Sequence, residues 1–271
     1  MSDDRQHAGS SRLEARGMTT SHEPTRLLAV IPARGGSKGL PGKNLRPFAG
    51  LPLIAHSILF AKLCPQISRC LVSTDSTEIA ETAKRFGAEA PFVRPAQLAQ
   101  DTSPLWPVLQ HALAWAERQD GTPYDALLLL DPTSPAREPS DVRGAVAQLR
   151  ERTDADGVIG VSQPEFHPIW HCVIEQEGGW MADLHPEGAS YVRRQDLPKV
   201  FRINGSLYLW RTPFVRSQED RTWRQAGRHL LCEIPESRAM SIDTLEQFER
   251  AELLVKHGLI TFPWLSEALV R

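Results

Sequence analysis

Short apolar runs alternate along this chain with longer segments in which apolar residues recur every three or four positions. The runs RLLAVIP, RCLVSTD, DALLLLD, DGVIGVS and HLLCEIP have the length and composition of buried strands. The segments between them, such as LPLIAHSILFAKL and PLWPVLQHALAWAERQ, have the apolar spacing of helices. Strands that alternate with helices predict an α/β fold, in which helices flank a mainly parallel sheet.

One region interrupts this alternation. Between about residues 165 and 212 the chain contains three tryptophans, an EGG turn and short extended runs. We expect an inserted antiparallel subdomain there, within a domain that covers residues 26–271. The first 25 residues are polar and lack an apolar core. We therefore expect residues 1–25 to form a disordered N-terminal extension rather than a secretory signal.

Charge and composition narrow the classes of function. The formal net charge is −2, so the chain has no overall basic field, and a nucleic acid polymer is not expected as a partner. No apolar run approaches the roughly 20 residues that span a bilayer, so no membrane partner is expected either. The four cysteines show neither a CxxC pair nor a Cys/His metal spacing. We therefore expect reduced structural thiols and a cytoplasmic protein.

The first predicted strand is followed by a glycine-rich basic loop, PARGGSKGLPGKN. Loops at the carboxyl edge of a parallel sheet are where α/β proteins bind ligands. Glycines let backbone N–H groups approach a phosphate, and lysines neutralise its charge. The GxGxxG motif is absent, and so is Walker A, because Ser37 and Asn44 occupy two of its required positions. A basic surface loop with Lys38 and Lys43 in solvent is the alternative.

The stretch AVIPARGGSKGLPGKN resembles the signature loop of the acylneuraminate cytidylyltransferase family, the CMP-sialic acid synthetases. Four further blocks resemble that family in the same order: VSTDSTEIAETAKRFGAEAPFVRPAQLAQDTS, LLLLDPTSPAR, RRQDLPKVFRINGSLYLW and SIDTLEQFERAE. Together the blocks span roughly Leu27 to Glu252. The resemblance implies a Rossmann-like sheet of the nucleotide-diphospho-sugar transferase type, and a homodimer that forms through the antiparallel insertion.

The resemblance also implies a reaction, in which the anomeric hydroxyl of a 2-keto sugar acid attacks the α-phosphorus of CTP and pyrophosphate leaves. The residues implied for catalysis are Arg34, Lys38 and Lys43, and those implied for nucleotide binding are Ala33, Gly35, Gly36, Ser37, Asn44 and Arg94. A surface ion pair is the alternative for Arg94. Ser73, Thr74 and Asp75 follow a predicted strand, and they either close over the nucleotide or cap the next helix.

The block RRQDLPKVFRINGSLYLW resembles the part of the family that holds the sugar acid. The residues implied there, partly across a dimer interface, are Arg194, Arg202, Asn204 and Tyr208. Arginine suits this role because its guanidinium binds a carboxylate through two parallel hydrogen bonds. A basic rim on a dimerisation hairpin is the alternative.

Three positions depart from the family pattern. Asp131 replaces the usual glutamine before PTSP, Ser241 replaces the first aspartate of a DxD pair, and Leu105 replaces a serine near the base. Because Mg²⁺ prefers carboxylate and phosphate oxygens, we expect Asp131 and Asp243 to share it. The alternative is that Asp131 only caps the turn DPTS. The departures also leave open another nonulosonic acid of legionaminic or pseudaminic type, another nucleotide or acceptor, and a non-catalytic nucleotide-binding protein.

Overall fold

The computed structural model describes residues 26–37, 39–219 and 222–265 of the chain. The predicted N-terminal extension and Lys38 lie outside the described residues. The strands are β1 (Leu27–Pro32), β2 (Pro47–Phe48), β3 (Leu51–Pro52), β4 (Ile67–Ser73), β5 (Ala126–Leu129), β6 (Gly157–Ser162), β7 (Val173–Glu175), β8 (Met181–Asp183), β9 (Arg202–Arg211) and β10 (His229–Glu233). The helices are α1 (Leu53–Lys62), α2 (Thr77–Arg85), α3 (Leu105–Asp120), α4 (Pro139–Glu151), α5 (Pro168–His171), α6 (Thr212–Ser217), α7 (Trp223–Ala226) and α8 (Leu245–Lys256).

Six of these strands form one sheet in the order β10-β6-β9-β5-β1-β4. β1 runs parallel to β4 and β5, and β6 runs parallel to β10, so the predicted mainly parallel sheet is confirmed. β9 is the exception, because it lies antiparallel between β5 and β6 and joins the two parallel parts of the sheet. None of the helices in the described part of the chain has the length and apolarity needed to cross a bilayer.

Strand β1 shows why the sheet forms with helices on both of its faces. Its alternate residues Leu27, Ala29 and Ile31 pack into one core layer with residues of α1, α4 and α8. Leu28 and Val30 pack into the opposite layer with residues of α3 and α6. All five side chains are fully buried, and each large aliphatic one contributes about 1.5–3 kcal/mol to stability. A strand buried on both faces has a continuous apolar run, which is the pattern that predicted it.

His56 lies on α1 and is fully buried in the first of these layers. Its Nε2 lies 2.8 Å from the carbonyl oxygen of Phe48, and its Nδ1 accepts a hydrogen bond from the indole N–H of Trp264 at 3.1 Å. Because Nδ1 accepts, the ring is neutral and Nε2–H donates. Burial lowers the pKa of His56 to about 4, against the opposing effect of the bond to Phe48. The neutral ring thus joins α1 to the C-terminal turn.

The residues just before α2 and α8 cap these helices with their side chains. The hydroxyl of Ser76 accepts a hydrogen bond from the N–H of Ile79 at 3.4 Å, so Ser76 caps α2. Thr244 and Gln247 form a reciprocal capping box at the start of α8. Because Ser76 supplies the cap of α2, the carboxylate of Asp75 is available for a different partner.

The predicted insertion is shorter in the structure than about 165–212. Residues 202–211 belong to the central sheet as β9, because Leu207 and Leu209 pack in its core. The antiparallel part of the remaining segment is a pair of three-residue strands, β7 and β8. This segment exposes large apolar side chains, with Trp180 74%, Met181 75% and Val192 88% exposed. A role in dimerisation stays a prediction.

Candidate functional site

A cavity of about 310 Å³ opens at the carboxyl edge of the sheet, where β1 and β5 end. Its lining is formed by the glycine-rich loop, the turn after β5 and the segment before α8: Pro32, Arg34, Ser37, Gly39, Lys43, Asn44, Asp131, Pro132, Thr133 and Asp243. The structure therefore brings together six residues that were predicted from separate parts of the sequence: Arg34, Ser37, Lys43, Asn44, Asp131 and Asp243. The position agrees with the general rule for ligand sites in open α/β sheets.

The glycine-rich loop leaves the sheet after Ala33. The backbone N–H of Ala33 donates to the carbonyl oxygen of Ser73 at 2.9 Å, and this bond extends the pairing of β1 with β4. Gly36 is exposed, and a Cβ at this position would meet nothing within 4 Å. Asn44 is buried, and its side-chain amide donates to the carbonyl oxygen of Arg34 at 3.1 Å. Asn44 thus holds the two ends of the loop together, and a contact with the nucleoside stays a prediction.

Gly39 fixes the loop against the segment before α8. A Cβ on Gly39 would lie 2.5 Å from the backbone oxygen of Asp243, which is closer than real Cβ atoms come to other atoms. Only glycine therefore permits this approach. The contact explains how Lys43 and Asp243, 200 residues apart in the chain, lie in one cavity.

Asp243 has two hydrogen-bond donors on its carboxylate. Lys43 Nζ donates to Oδ1 at 2.8 Å, and the hydroxyl of Ser241 donates to Oδ2 at 2.6 Å. Partial burial raises the pKa of Asp243, but the bonds from Lys43 and Ser241 outweigh it and hold the pKa below its usual value. The carboxylate is therefore charged at neutral pH. Ser241, which replaces an aspartate of the family pattern, orients its neighbour as a hydrogen-bond donor.

Asp131 both caps a turn and lines the cavity. Its Oδ1 accepts hydrogen bonds from the backbone N–H of Thr133 at 3.0 Å and from the Thr133 hydroxyl at 2.9 Å. Its backbone oxygen accepts a bond from Nη2 of Arg137 at 2.5 Å. The predicted turn cap is thus present. Asp131 still lines the cavity, and its role as a ligand of Mg²⁺ stays a prediction.

Sequence reasoning missed Arg137, whose side chain joins α1 to the turn after β5. Its guanidinium is buried, and Nη1 donates to the hydroxyl of Ser57 on α1 at 3.2 Å. Burial lowers the pKa of Arg137 to about 10, although the charge of Asp131 opposes the change. The arginine of the PTSPAR stretch was the available signal, but a charged side chain in a loop is usually exposed.

The two arginines predicted to bind nucleotide have different surroundings. Arg34 lines the cavity and pairs with Asp101. Arg94 is buried and donates to the backbone oxygens of Ser73 and Leu98, so it does not form a surface ion pair. Burial lowers the pKa of Arg94, partly offset by the charge of Asp75. Arg94 thus braces the end of β4, and a contact with the base stays a prediction.

The four residues predicted to bind the sugar acid do not line the cavity. Arg202 pairs with Glu236 through bonds of 2.6 and 3.0 Å. Asn204 is buried and donates to the hydroxyl of Ser162 at 2.9 Å. Arg194 is exposed on a short turn of residues 194–196. Their contact with a substrate stays a prediction.

Tyr208 is a strand residue of β9 that does not line the cavity either. Its ring stacks on Trp210 with centroids 5.3 Å apart. Burial raises the pKa of the Tyr208 hydroxyl, and the charge of Asp131 adds to the effect. The charge of Asp131 thus acts on the Tyr208 hydroxyl, and a contact between that hydroxyl and a substrate stays a prediction.

A mainly parallel sheet with a glycine-rich basic loop and carboxylates at its carboxyl edge defines an α/β protein that binds nucleotide phosphates. Residues 28–258 match the model of the family described as Cytidylyltransferase, and the chain belongs to that family. The expected family resemblance is thereby confirmed at the level of the family.

Similar proteins agree with this assignment. The chain is 31% identical over 230 residues to "Post-translational flagellin modification protein B" of Campylobacter coli, which covers 85% of this chain and 95% of that protein. It is 39% identical over 185 residues to "CMP-N,N'-diacetyllegionaminic acid synthase" of Legionella pneumophila, covering 68% and 77%. A solved structure of CMP:2-keto-3-deoxy-manno-octonic acid synthetase complexed with CTP has a TM-score of 0.65 and 19% identity, covering 86% and 100%. That structure supports the fold.

Proposed function

We propose that the protein transfers CMP from CTP to the anomeric hydroxyl of a 2-keto nonulosonic acid and releases pyrophosphate. The observation that carries the proposal is the meeting of Arg34, Lys43, Asp131 and Asp243 around one cavity at the carboxyl edge of the sheet. Cations and carboxylates around one cavity suit a triphosphate that binds with a divalent metal. The relative from Legionella pneumophila, named as a synthase of a CMP-activated legionaminic acid, supports this class of product.

The loop positions the triphosphate and neutralises its charge. Lys43 and Arg34 would supply positive charge, and the backbone N–H groups of Gly35 and Gly36 would donate to phosphate oxygens, that of Gly35 after leaving Asp75. The anomeric hydroxyl gives up its proton to water, and its oxygen bonds to the α-phosphorus while the bond from that phosphorus to the bridging oxygen breaks and pyrophosphate leaves. Such transfers depend on alignment and charge stabilisation more than on covalent chemistry from the protein.

Asp131 and Asp243 would hold Mg²⁺ in this cavity. Their donor atoms are carboxylate oxygens, which Mg²⁺ prefers, and the hydroxyl of Thr133 lies beside Asp131. No cluster of three or more His, Cys, Asp or Glu side chains within the described ranges could hold a metal alone. The protein therefore contributes few ligands, and phosphate oxygens would complete the set. When bound, the ion would neutralise phosphate charge.

The sugar acid would bind beside the turn after β5, because the charge of Asp131 in that turn acts on the Tyr208 hydroxyl. Arg194 is exposed and can reach a carboxylate, whereas Arg202 can do so only by exchanging its pair with Glu236. We propose an acceptor of the legionaminic type, the acid named for the relative from Legionella pneumophila that is 39% identical to this chain.

A homodimer and a cytoplasmic location complete the proposal. Trp180, Met181 and Val192 expose apolar surface on the segment that was predicted to dimerise, and a second copy would cover it. The four cysteines, Cys64, Cys70, Cys172 and Cys232, are all free thiols, as expected in a reducing compartment where CTP is available.

A pyrophosphate-release assay tests the function directly. The purified protein is given each of the four nucleoside triphosphates with a panel of legionaminic, pseudaminic and N-acetylneuraminic acids and of sugar 1-phosphates. We expect release that requires CTP and a keto acid, with a CMP-sugar acid identified by mass spectrometry. Release with a sugar phosphate would instead favour a different nucleotidyltransferase, and no release with any pair would favour a non-catalytic nucleotide-binding protein.

A further inference from the structure

Two groups of the glycine-rich loop pair with carboxylates that belong to other segments. The guanidinium of Arg34 pairs with Asp101, which lies just before α3. The backbone N–H of Gly35 donates to Oδ1 of Asp75 at 2.9 Å, just after β4. Neither carboxylate lines the cavity. Both are aimed at the loop from outside it.

Lys43, the other described cation of the loop, also pairs with a carboxylate. Lys43 donates to Asp243, which the proposed function already uses as a metal ligand. Asp75 and Asp101 differ from Asp243, because neither lines the cavity and neither is a proposed metal ligand. A carboxylate offers negatively charged oxygens to an arginine or a backbone N–H in the same way as a phosphate does. A carboxylate and a phosphate therefore compete for the same donors.

We propose that Asp75 and Asp101 are competing anions that a bound nucleotide must displace from Gly35 and Arg34. The inference rests on the proposed function, since it assigns those two donors to the triphosphate. Displacement removes favourable contacts, so it weakens binding. A ligand whose phosphates use both donors bears the whole loss, a ligand with a single phosphate bears less of it, and a nucleoside bears none. Asp75 and Asp101 thus lower the affinity of the loop for nucleotide, and they lower it most for a triphosphate.

The exposure of the pair sets the size of the effect. The side chains of Arg34 and Asp101 are 33% and 37% exposed, so solvent screens part of their attraction. Pairs of this kind are worth up to about 1 kcal/mol, which corresponds to about a fivefold change in affinity. We therefore expect Asp101→Asn to lower the Kd for CTP by about two- to fivefold.

The experiment compares Asp101→Asn with Asp154→Asn by calorimetry. Asp154 pairs with Arg152 and Arg228, and loses the same charge on substitution, but none of these residues lines the cavity. CTP, CMP and cytidine are titrated into each protein at two salt concentrations. We expect tighter CTP binding in Asp101→Asn, a smaller gain for CMP, and no change for cytidine. Asp154→Asn should leave all three ligands unchanged.

The direction of the change in CTP affinity distinguishes a competing anion from an ion pair that only supports the fold. If Asp101 only held the loop in shape, its loss would weaken CTP binding and lower the melting temperature together. Weaker or unchanged CTP binding in a folded Asp101→Asn protein overturns the proposal. Asp75→Asn provides the second test. Asp75 pairs with the backbone N–H of Gly35, so the donor stays in place when Asp75 is changed. Tighter CTP binding is expected in this variant too, and its absence counts equally against the proposal.

The failure of this inference can be distinguished from failure of the proposed function. A wild-type protein that binds neither CTP nor inorganic pyrophosphate would overturn both. A wild-type protein that binds CTP, with variants that do not bind it more tightly, would overturn the competing anions alone.

Discussion

Lowering the pH should destabilise the protein through His56, by an amount that its surroundings determine. The ring is buried and neutral, and its Nδ1 faces the indole N–H of Trp264, so a proton there would meet another donor. The pKa of His56 falls from 6.5 to about 4 on folding. These values differ by about 2.5, and each pKa unit corresponds to about 1.4 kcal/mol, so the loss is about 3 kcal/mol.

The sign and the pH window follow from the same two values. Above about pH 6.5 the ring is neutral in both states, and its full contribution to stability is present. Between pH 6.5 and about 4 only the unfolded chain takes up the proton, so stability falls as the pH falls. Below about pH 4 both states carry the proton, and the dependence on this group ends.

Urea unfolding followed by tryptophan fluorescence, at several values between pH 7 and 4, measures the effect. His56→Leu removes the titrating group, and His257→Gln removes an exposed histidine as the matched control. His56→Leu should be less stable at pH 7, because it loses two hydrogen bonds, but its stability should depend less on pH. Wild type and His257→Gln should lose about 3 kcal/mol more than His56→Leu over this range. Parallel curves for wild type and His56→Leu would refute the reasoning.

The remaining predictions concern the cavity and its surroundings. Lys43→Ala should lower turnover at saturating CTP by about 100-fold, because it removes one cation from the transition state; near wild-type turnover would contradict the role of the loop. Asp131→Asn should raise the Mg²⁺ concentration for half-maximal rate, and an unchanged titration would exclude Asp131 as a ligand. Arg202→Ala should raise KM for the sugar acid and leave the Kd for CTP unchanged; equal losses would mean that its pair with Glu236 only supports the fold. Gly39→Ala should lower turnover at least about tenfold with folding retained by circular dichroism, and full activity would refute the need for close backbone approach.

The short apolar runs of the sequence predicted most strands of the sheet, but they did not predict β9, which pairs with strands far away in the sequence. The runs that form β1, β4, β5, β6 and β10 are short and apolar, and buried parallel strands require this composition. The segment of β9 was assigned instead to the insertion, because the region of residues 165–212 contains three tryptophans, an EGG turn and short extended runs. Gly205 has φ +77, and the register shifts between Ile159 and Val161 opposite this stretch, so a bulge breaks the strand pattern.

The candidate site was predictable where chemistry follows directly from position in the chain. The glycine-rich loop comes after the first strand, so Arg34 and Lys43 could be assigned to a cleft before any contact was known. Asp101 could not, because its pairing with Arg34 joins residues 67 positions apart. Arg137 could not be assigned either, because its burial depends on the contact it makes with both α1 and the turn after β5.

The place of β9 in the sheet has a consequence for synthesis on the ribosome. β5 and β6 are made early, but the strand that lies between them follows some 40 residues after β6. Until residue 211 has left the ribosome, both strands present an unpaired edge to other chains. The central sheet therefore remains incomplete until more than three quarters of the chain has been made, and chains released before that point would be the ones that aggregate.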